Sequence, residues 1–305
     1  MKKLFVLLLC LPVVANAWEM NEQFDVGNGG TLRFDADVGS VDISTHNSDS
    51  LNFQLEASGY DEDDLKVSFD QRGDDLVINV DRRKDFGWDW GSRRVKFTLV
   101  LPREYNLDVK TSGGSVFVTE LEGTIDLRTS GGSIDVDEVV GNLDLRTSGG
   151  TVTIADVDGM AEMKTSGGSI RATDVTGNVE ADTSGGSIRI KRAGGDIVAE
   201  TSGGGISIVG ATGRVDASTS GGSIDLELVE QPQGDAELST SGGSITIEMA
   251  SHVGMDLNAR ANRIRTDFPV NGETSAKKSL RGDLNGGGPE LNVRASGGSI
   301  LIRED

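Results

Sequence analysis

Serine stands in every full copy of a phrase, Thr-Ser-Gly-Gly, that recurs along this sequence: Ser112, Ser130, Ser148 and onward. A hydroxyl nucleophile needs an adjacent base and an oxyanion hole, and it needs them once. No histidine accompanies any copy, and His46 and His252 stand far apart without metal-ligand spacing. The spacing therefore supports neither a Ser–His triad nor a histidine-held metal, and the repeated serines and threonines read as a ladder along one corner of a repeat. Carboxylates are the next candidates. Asp108, Asp126, Asp144, Glu162, Glu180 and Asp216 should stack on one outward face, with Lys110, Arg128, Arg146 and Lys164 two residues on. The first four layers read as a solvated, cross-paired face. At Glu180, Asp182 and Glu200 the compensating bases run out, which leaves a candidate patch for a cation or a basic partner. A third candidate is DFGWDWGSRR, residues 85–94, where Phe86, Trp88 and Trp90 alternate. It is either a hairpin tip packed over the first layer as a cap, the plainer reading, or an aromatic patch for a glycan or partner.

Other chemistries fit less well. Gly-Gly-Ser-Ile-Asp superficially matches a calcium-binding nonapeptide, but its fourth place is Ile or Val and its fifth is Asp only at Asp135 and Asp225. No calcium ladder, other metal or cofactor is expected. A polysaccharide lyase or hydrolase needs paired carboxylates, or a base with calcium, in a lined groove. Carboxylates are plentiful here, but none sits in an unusual phrase, and aromatics that could stack on sugars are scarce in the repeats. Thr151-Val152-Thr153 is the one Thr-x-Thr triplet of the kind ice-binding faces use.

The elements that must position these residues follow from the period. TSGG begins at Thr111, Thr129, Thr147, Thr165, Thr183, Thr201 and Thr219, in steps of 18. It begins again at Thr240, after a step of 21 lengthened by QPQG around Pro232, and a variant ASGG begins at Ala295. A worn copy stands at VGSVDIS, residues 38–44. Within a unit such as TSGGSIDVDEVVGNLDLR, apolar residues alternate with polar ones at Ile134, Val136 and again at Leu143, Leu145, which is the period of a half-buried strand. Turns are expected at the double glycine (Gly113, Gly131, Gly149, Gly167, Gly185, Gly203, Gly221, Gly242, Gly297) and at a later glycine such as Gly141, through positive φ or close backbone approach. One unit cannot bury its own apolar face, so units must stack. The expected fold is all-β: a single-stranded parallel β-solenoid with 18-residue coils, right-handed by the general rule for parallel crossovers. Steps of two, three, four and two from Ile134 do not suit the triangular left-handed form, which repeats every six. The expected division is a signal peptide over 1–17, an N-terminal β region and cap over 18–105, regular coils over 106–250, and irregular coils with a C-terminal cap over 251–305. The terminal Arg303-Glu304-Asp305 reads as a charged stop against end-to-end stacking.

Three stretches, KFTLVLPREYNLDVKTSGGSV, the repeated TSGGSI, and LNGGGPELNVRASGGSILI, together resemble the bacterial putative-adhesin β-strand-repeat family over nearly the whole chain from about residue 25. That resemblance implies a β-solenoid at the cell envelope, of unestablished biochemical role, in which a strand ending at Leu101-Pro102 leads into the first coil. Fold by itself does not supply function.

Export and charge narrow the partners. MKKLFVLLLCLPVVANA has a basic start, a short apolar run and an Ala-x-Ala ending, the pattern of a cleaved secretory signal. The run is too short to span a bilayer, which takes about 20 residues, and no transmembrane segment is expected in the mature chain. Cys10 is the one cysteine and lies in this run, so the mature chain has neither a disulfide nor a thiolate. The formal net charge is −20, and loss of Lys2 and Lys3 makes it −22. Such a chain is a poor partner for nucleic acid or anionic lipid. The function expected is that of an exported, non-enzymatic envelope protein, periplasmic or displayed, binding an envelope protein or a glycan; a carbohydrate-active β-helix enzyme stands second.

Overall fold

The computed structural model describes residues 17–83, 93–276 and 278–305. Seven strands precede the repeats: β1 (Ala17–Asp25), β2 (Thr31–Ala36), β3 (Ser40–His46), β4 (Ser50–Ser58), β5 (Leu65–Arg72), β6 (Asp75–Arg82) and β7 (Arg94–Pro102). Sixteen strands then come in pairs: β8 (Asn106–Thr111) and β9 (Val116–Thr119), β10 (Ile125–Thr129) and β11 (Ile134–Val140), β12 (Leu143–Thr147) and β13 (Val152–Asp158), β14 (Ala161–Thr165) and β15 (Ile170–Val175), β16 (Val179–Thr183) and β17 (Ile188–Ala193), β18 (Ile197–Thr201) and β19 (Ile206–Val209), β20 (Val215–Thr219) and β21 (Ile224–Leu228), β22 (Ala236–Thr240) and β23 (Ile245–Met249). The chain closes with β24 (Met255–Thr266), β25 (Val270–Ala276), β26 (Ser279–Leu284) and β27 (Glu290–Glu304).

The repeat strands form two parallel stacks. The first strand of each pair lies in register with its equivalent in the next pair, Asp126 beside Asp144, and the second likewise, Ile134 beside Val152. Alternate side chains point inward, so Leu143, Leu145, Val152, Ile154 and Val157 of one layer are buried together. The worn copy at residues 38–44 takes its place in the order: β3 pairs with β9, Val41 beside Val116, and β2 pairs with β8.

Thr-Ser-Gly-Gly makes the corner between the stacks. Each threonine is buried. The Thr183 hydroxyl donates to the Gly168 carbonyl of the preceding layer at 2.8 Å and accepts from the Gly186 N–H of its own layer at 3.3 Å. The same two bonds recur at Thr129, Thr147, Thr165, Thr201 and Thr219.

The glycine requirement falls on the second residue of the pair. A Cβ on Gly168 would stand 1.7 Å from the Gly150 carbonyl oxygen, whereas one on Gly167 would meet Ser148 O at 3.7 Å, an ordinary contact. Neither adopts positive φ. Left-handed backbone instead forms a column at the opposite corner, and in it stand Glu120, Glu138, Asp156, Asp174 and Arg192, with φ of 50–58°, followed by Gly210.

Both ends are closed by antiparallel strands and by a reordering of layers. At the N-terminal end β6 and β7 lie outside β2 and β3, with β5 antiparallel on β6, β4 on β7 and β1 on β4. Edge-on phenylalanines fill the core there, Phe34 on Phe97 at 4.9 Å and Phe53 on Phe69 at 5.3 Å between ring centroids. At the other end β27 bends to serve both stacks, Leu291–Ala295 beside β22 and Ile300–Glu304 beside β23. β24 then lies on the far side of β27, with β26 antiparallel on β24 and β25 on β26.

Two expectations need correcting here. The chain after residue 251 does not simply continue as irregular coils of the stack: Ala295 is the direct neighbour of Thr240, and the intervening chain forms one outer layer and a hairpin. Nor does Arg303 mark an end of the stack; it pairs with Glu248 in the adjoining strand. In both cases the cause is edge satisfaction, since β27 pairs on its two sides and the antiparallel hairpin takes over the outer edge.

Candidate binding surfaces

The acidic column stands where the spacing puts it, on the outward side of the first stack, and its first layers are a ladder of ion pairs. Arg128 meets Asp126 at 2.7 Å, Arg146 meets Glu162 at 2.8 Å and Asp144 at 3.1 Å, and Lys164 meets Glu162 at 2.8 Å. Hydrogen bonds from Lys164 and then Arg146 hold the Glu162 carboxyl below the usual range. Asp126 goes the other way: burial raises it, against the pull of Arg128, and one of its oxygens is buried without a hydrogen-bond partner.

Of the three acids singled out where the bases run out, Glu180 is compensated after all, because Lys164 reaches it from the preceding layer at 3.2 Å. Asp182 and Glu200 do lie side by side in register, both exposed, with Ser218 beyond. Among the described residues no group of three or more histidines, cysteines or acids is placed to hold a metal. Phe86, Trp88 and Trp90 lie outside the described residues.

The left-handed corner carries a groove that the spacing did not suggest. Its volume is about 750 Å³, and it runs across five successive layers. Inward of the left-handed column the floor residues shrink along the stack, from Leu121 through Val139, Val157 and Val175 to Ala193 and Ala211. Val209 and the exposed Val229 line the groove at its far end, beside Glu230 where the QPQG turn begins. Gly194 contributes no side chain at a position held by Asp158 and Thr176 in earlier layers. Arg192 forks onto Asp174, holding that carboxyl below its usual range, and the Thr176 hydroxyl donates to Asp158 at 2.7 Å. Among the described residues no aromatic side chain lines the groove. The narrowing Leu–Val–Ala column was the signal available in the sequence, but it emerges only once the units are aligned on Glu120, Glu138 and Asp156.

A family model matches residues 32–303 of this architecture under the description Toastrack DUF4097. The chain belongs to that family. This Toastrack chain is an all-β, solenoid-like member. Solved structures similar to it include a putative adhesin from Bacteroides fragilis, 14% identical over 94% of this chain and 97% of that one with a TM-score of 0.40. A putative lipid binding protein from Parabacteroides distasonis is 13% identical, over 94% and 96%, with a TM-score of 0.39. A putative adhesin from Parabacteroides merdae is 14% identical, over 94% and 95%, with a TM-score of 0.38. Among curated proteins no match is found.

Proposed function

We propose that this Toastrack protein is an exported, non-enzymatic interaction protein of the cell envelope, adhesin-like in its work. In this reading residues 1–17 are removed on export, 18–105 cap a right-handed solenoid of 18-residue coils over 106–250, and 251–305 close it. The observation that carries the binding role is the groove at Asp156–Glu230. It is a concave, largely apolar surface, which is the usual form of a recognition site. Its partner is an envelope protein or a glycan. A carbohydrate-active enzyme fits the groove less well. General acid catalysis needs a carboxyl held protonated near neutral pH, and Arg192 pulls Asp174 the opposite way.

Two measurements test the reading. Protease treatment of intact cells, with a periplasmic marker as control, separates surface display from periplasmic residence; a cytoplasmic protein, shielded in both fractions, overturns export. Binding of the mature chain to envelope fractions and glycan panels is then compared with that of Val209→Arg and Val229→Arg. Loss of binding in both variants, with melting unchanged, is expected. Hydrolysis of any glycan by the wild type would return the enzyme reading.

A further inference from the structure

The outward face of the second stack carries two arginines in one column. Arg171 lies directly beside Arg189 in parallel register, where neighbouring strands sit about 4.8 Å apart. Like charges so placed repel. Lys191 stands on the same face two residues beyond Arg189, and all three side chains are exposed. Among the described residues no ion pair or hydrogen bond engages any of the three. The contrast with the first stack is direct, since there Arg128, Arg146 and Lys164 each hold a carboxylate. In a chain with 49 acids against 29 bases, a doublet of unmatched arginines runs against the composition.

The doublet borders a hollow of about 380 Å³, lined also by Ser169, Ser187, Gly205 and Ser207. Gly205 opens it. The other layers carry a hydroxyl at this place, and in several of them it accepts the next layer's N–H: Ser115 from Ser133 at 3.1 Å, Ser169 from Ser187 at 3.3 Å, Ser223 from Ser244 at 3.3 Å. The glycine is not demanded by the backbone. A Cβ on Gly205 would meet one atom, Ser223 O at 3.2 Å, while one on its neighbour Gly204 would stand 1.9 Å from a carbonyl oxygen. What the third glycine of TSGGG provides is room beside two guanidinium groups.

We propose that this hollow binds a single oxyanion, the carboxylate, sulfate or phosphate of a small or otherwise uncharged molecule. The Arg171 and Arg189 forks face its oxygens, and the Ser187 and Ser207 hydroxyls complete the hydrogen bonding. The site takes one such group and not a polyanion, because Asp225 stands at its rim and the whole chain is acidic. The assignment is separate from the groove at Asp156–Glu230 and stands whether or not that groove binds a partner.

The test is calorimetric titration of the mature chain with sodium phosphate, sodium sulfate and sodium glucuronate at constant ionic strength, with glucose as the neutral control. At least one oxyanion is expected to bind. Glucuronate alone would identify a sugar acid, and phosphate or sulfate alone an ester or the free ion. Replacing both arginines, Arg171→Gln with Arg189→Gln, should weaken binding by at least about tenfold, because charged hydrogen bonds are lost. Gly205→Ser should weaken it by filling the hollow. Without ligand the double variant should melt no lower than the wild type, since repulsion is relieved; a purely structural role for the arginines would lower its midpoint. The proposal is overturned if none of the three anions binds above the glucose control, or if the double variant binds them as the wild type does.

Discussion

Thr183 and Gly168 lock adjoining layers together: the buried threonine hydroxyl donates to the glycine carbonyl at 2.8 Å and simultaneously accepts from Gly186 N–H. Thr183→Val keeps the shape and removes both bonds, leaving a half-buried carbonyl and a half-buried N–H unmatched. A loss of about 1–3 kcal/mol is expected in urea unfolding, with Thr183→Ser much closer to the wild type. Equal stability of Val and Ser variants would show that shape alone fills the corner.

Gly167 and Gly168 should respond in opposite ways to one methyl group. Gly168→Ala drives a Cβ into the Gly150 carbonyl and must part the layers, so a collapse of the melting transition or insoluble expression is expected. Gly167→Ala adds only ordinary contacts and should stay within about 1 kcal/mol of the wild type, on the gaining side if the unfolded chain loses freedom. Thermal melting of the two variants side by side decides it.

Glu162 and Asp126 stand in one column yet should give opposite pH effects. Glu162 is held low by Lys164 and Arg146, so its stabilisation is present above its unfolded value and is lost as pH falls through the depressed native one. Glu162→Gln should cost about 0.5 kcal/mol at neutral pH, as expected for a solvent-screened pair, and nothing at low pH. Asp126 is raised by burial, so its ionised form is disfavoured in the native state and Asp126→Asn should be neutral or stabilising at pH 7. Urea midpoints between pH 3 and 7 for both variants check the signs.

Tyr105 should govern the alkaline limb of stability. Its buried phenol donates to the Asp74 carbonyl, and burial, with Asp75 and Asp74 nearby, pushes it up to about 12. The native state therefore keeps a proton that the unfolded chain releases from about pH 10. The contribution is intact below that value and is lost as pH rises toward 12. Tyr105→Phe should cost about 1 kcal/mol at pH 7 through the missing hydrogen bond and should flatten this alkaline decline.

The parallel stacks were legible in the sequence because a strict period leaves one pairing open to Ile134, Val152 and Ile170, and a strand's alternation assigns each to the core. Even the worn copy around Val41 could be read, since its apolar spacing survived. Which glycine is obligatory could not be read. Gly167 and Gly168 are identical as letters and differ only in what stands one layer away. The left-handed column was hidden for the opposite reason, because Glu138 and Asp156 occupy a conformation that glycine usually marks. The C-terminal order escaped because period counts residues along the chain, whereas β27 pairs with β22 across an excursion. The basic hollow was visible as TSGGG at residues 201–205, a single letter's departure whose meaning depends on Arg171 and Arg189 in earlier units.

The place of β27 sets a timetable for the molecule. The strand that joins the repeat stack to its outer layer comes after every repeat strand in the chain, so it leaves the ribosome after them and emerges after them on any N-to-C export route. Until Glu290–Glu304 arrives, β22 and β23 present an open edge and β24 has no stack to rest on. A chain cut short before this segment is thus left unsealed in mid-stack, prone to pair with any strand at hand, while a chain that carries Glu290–Glu304 closes that gap from within.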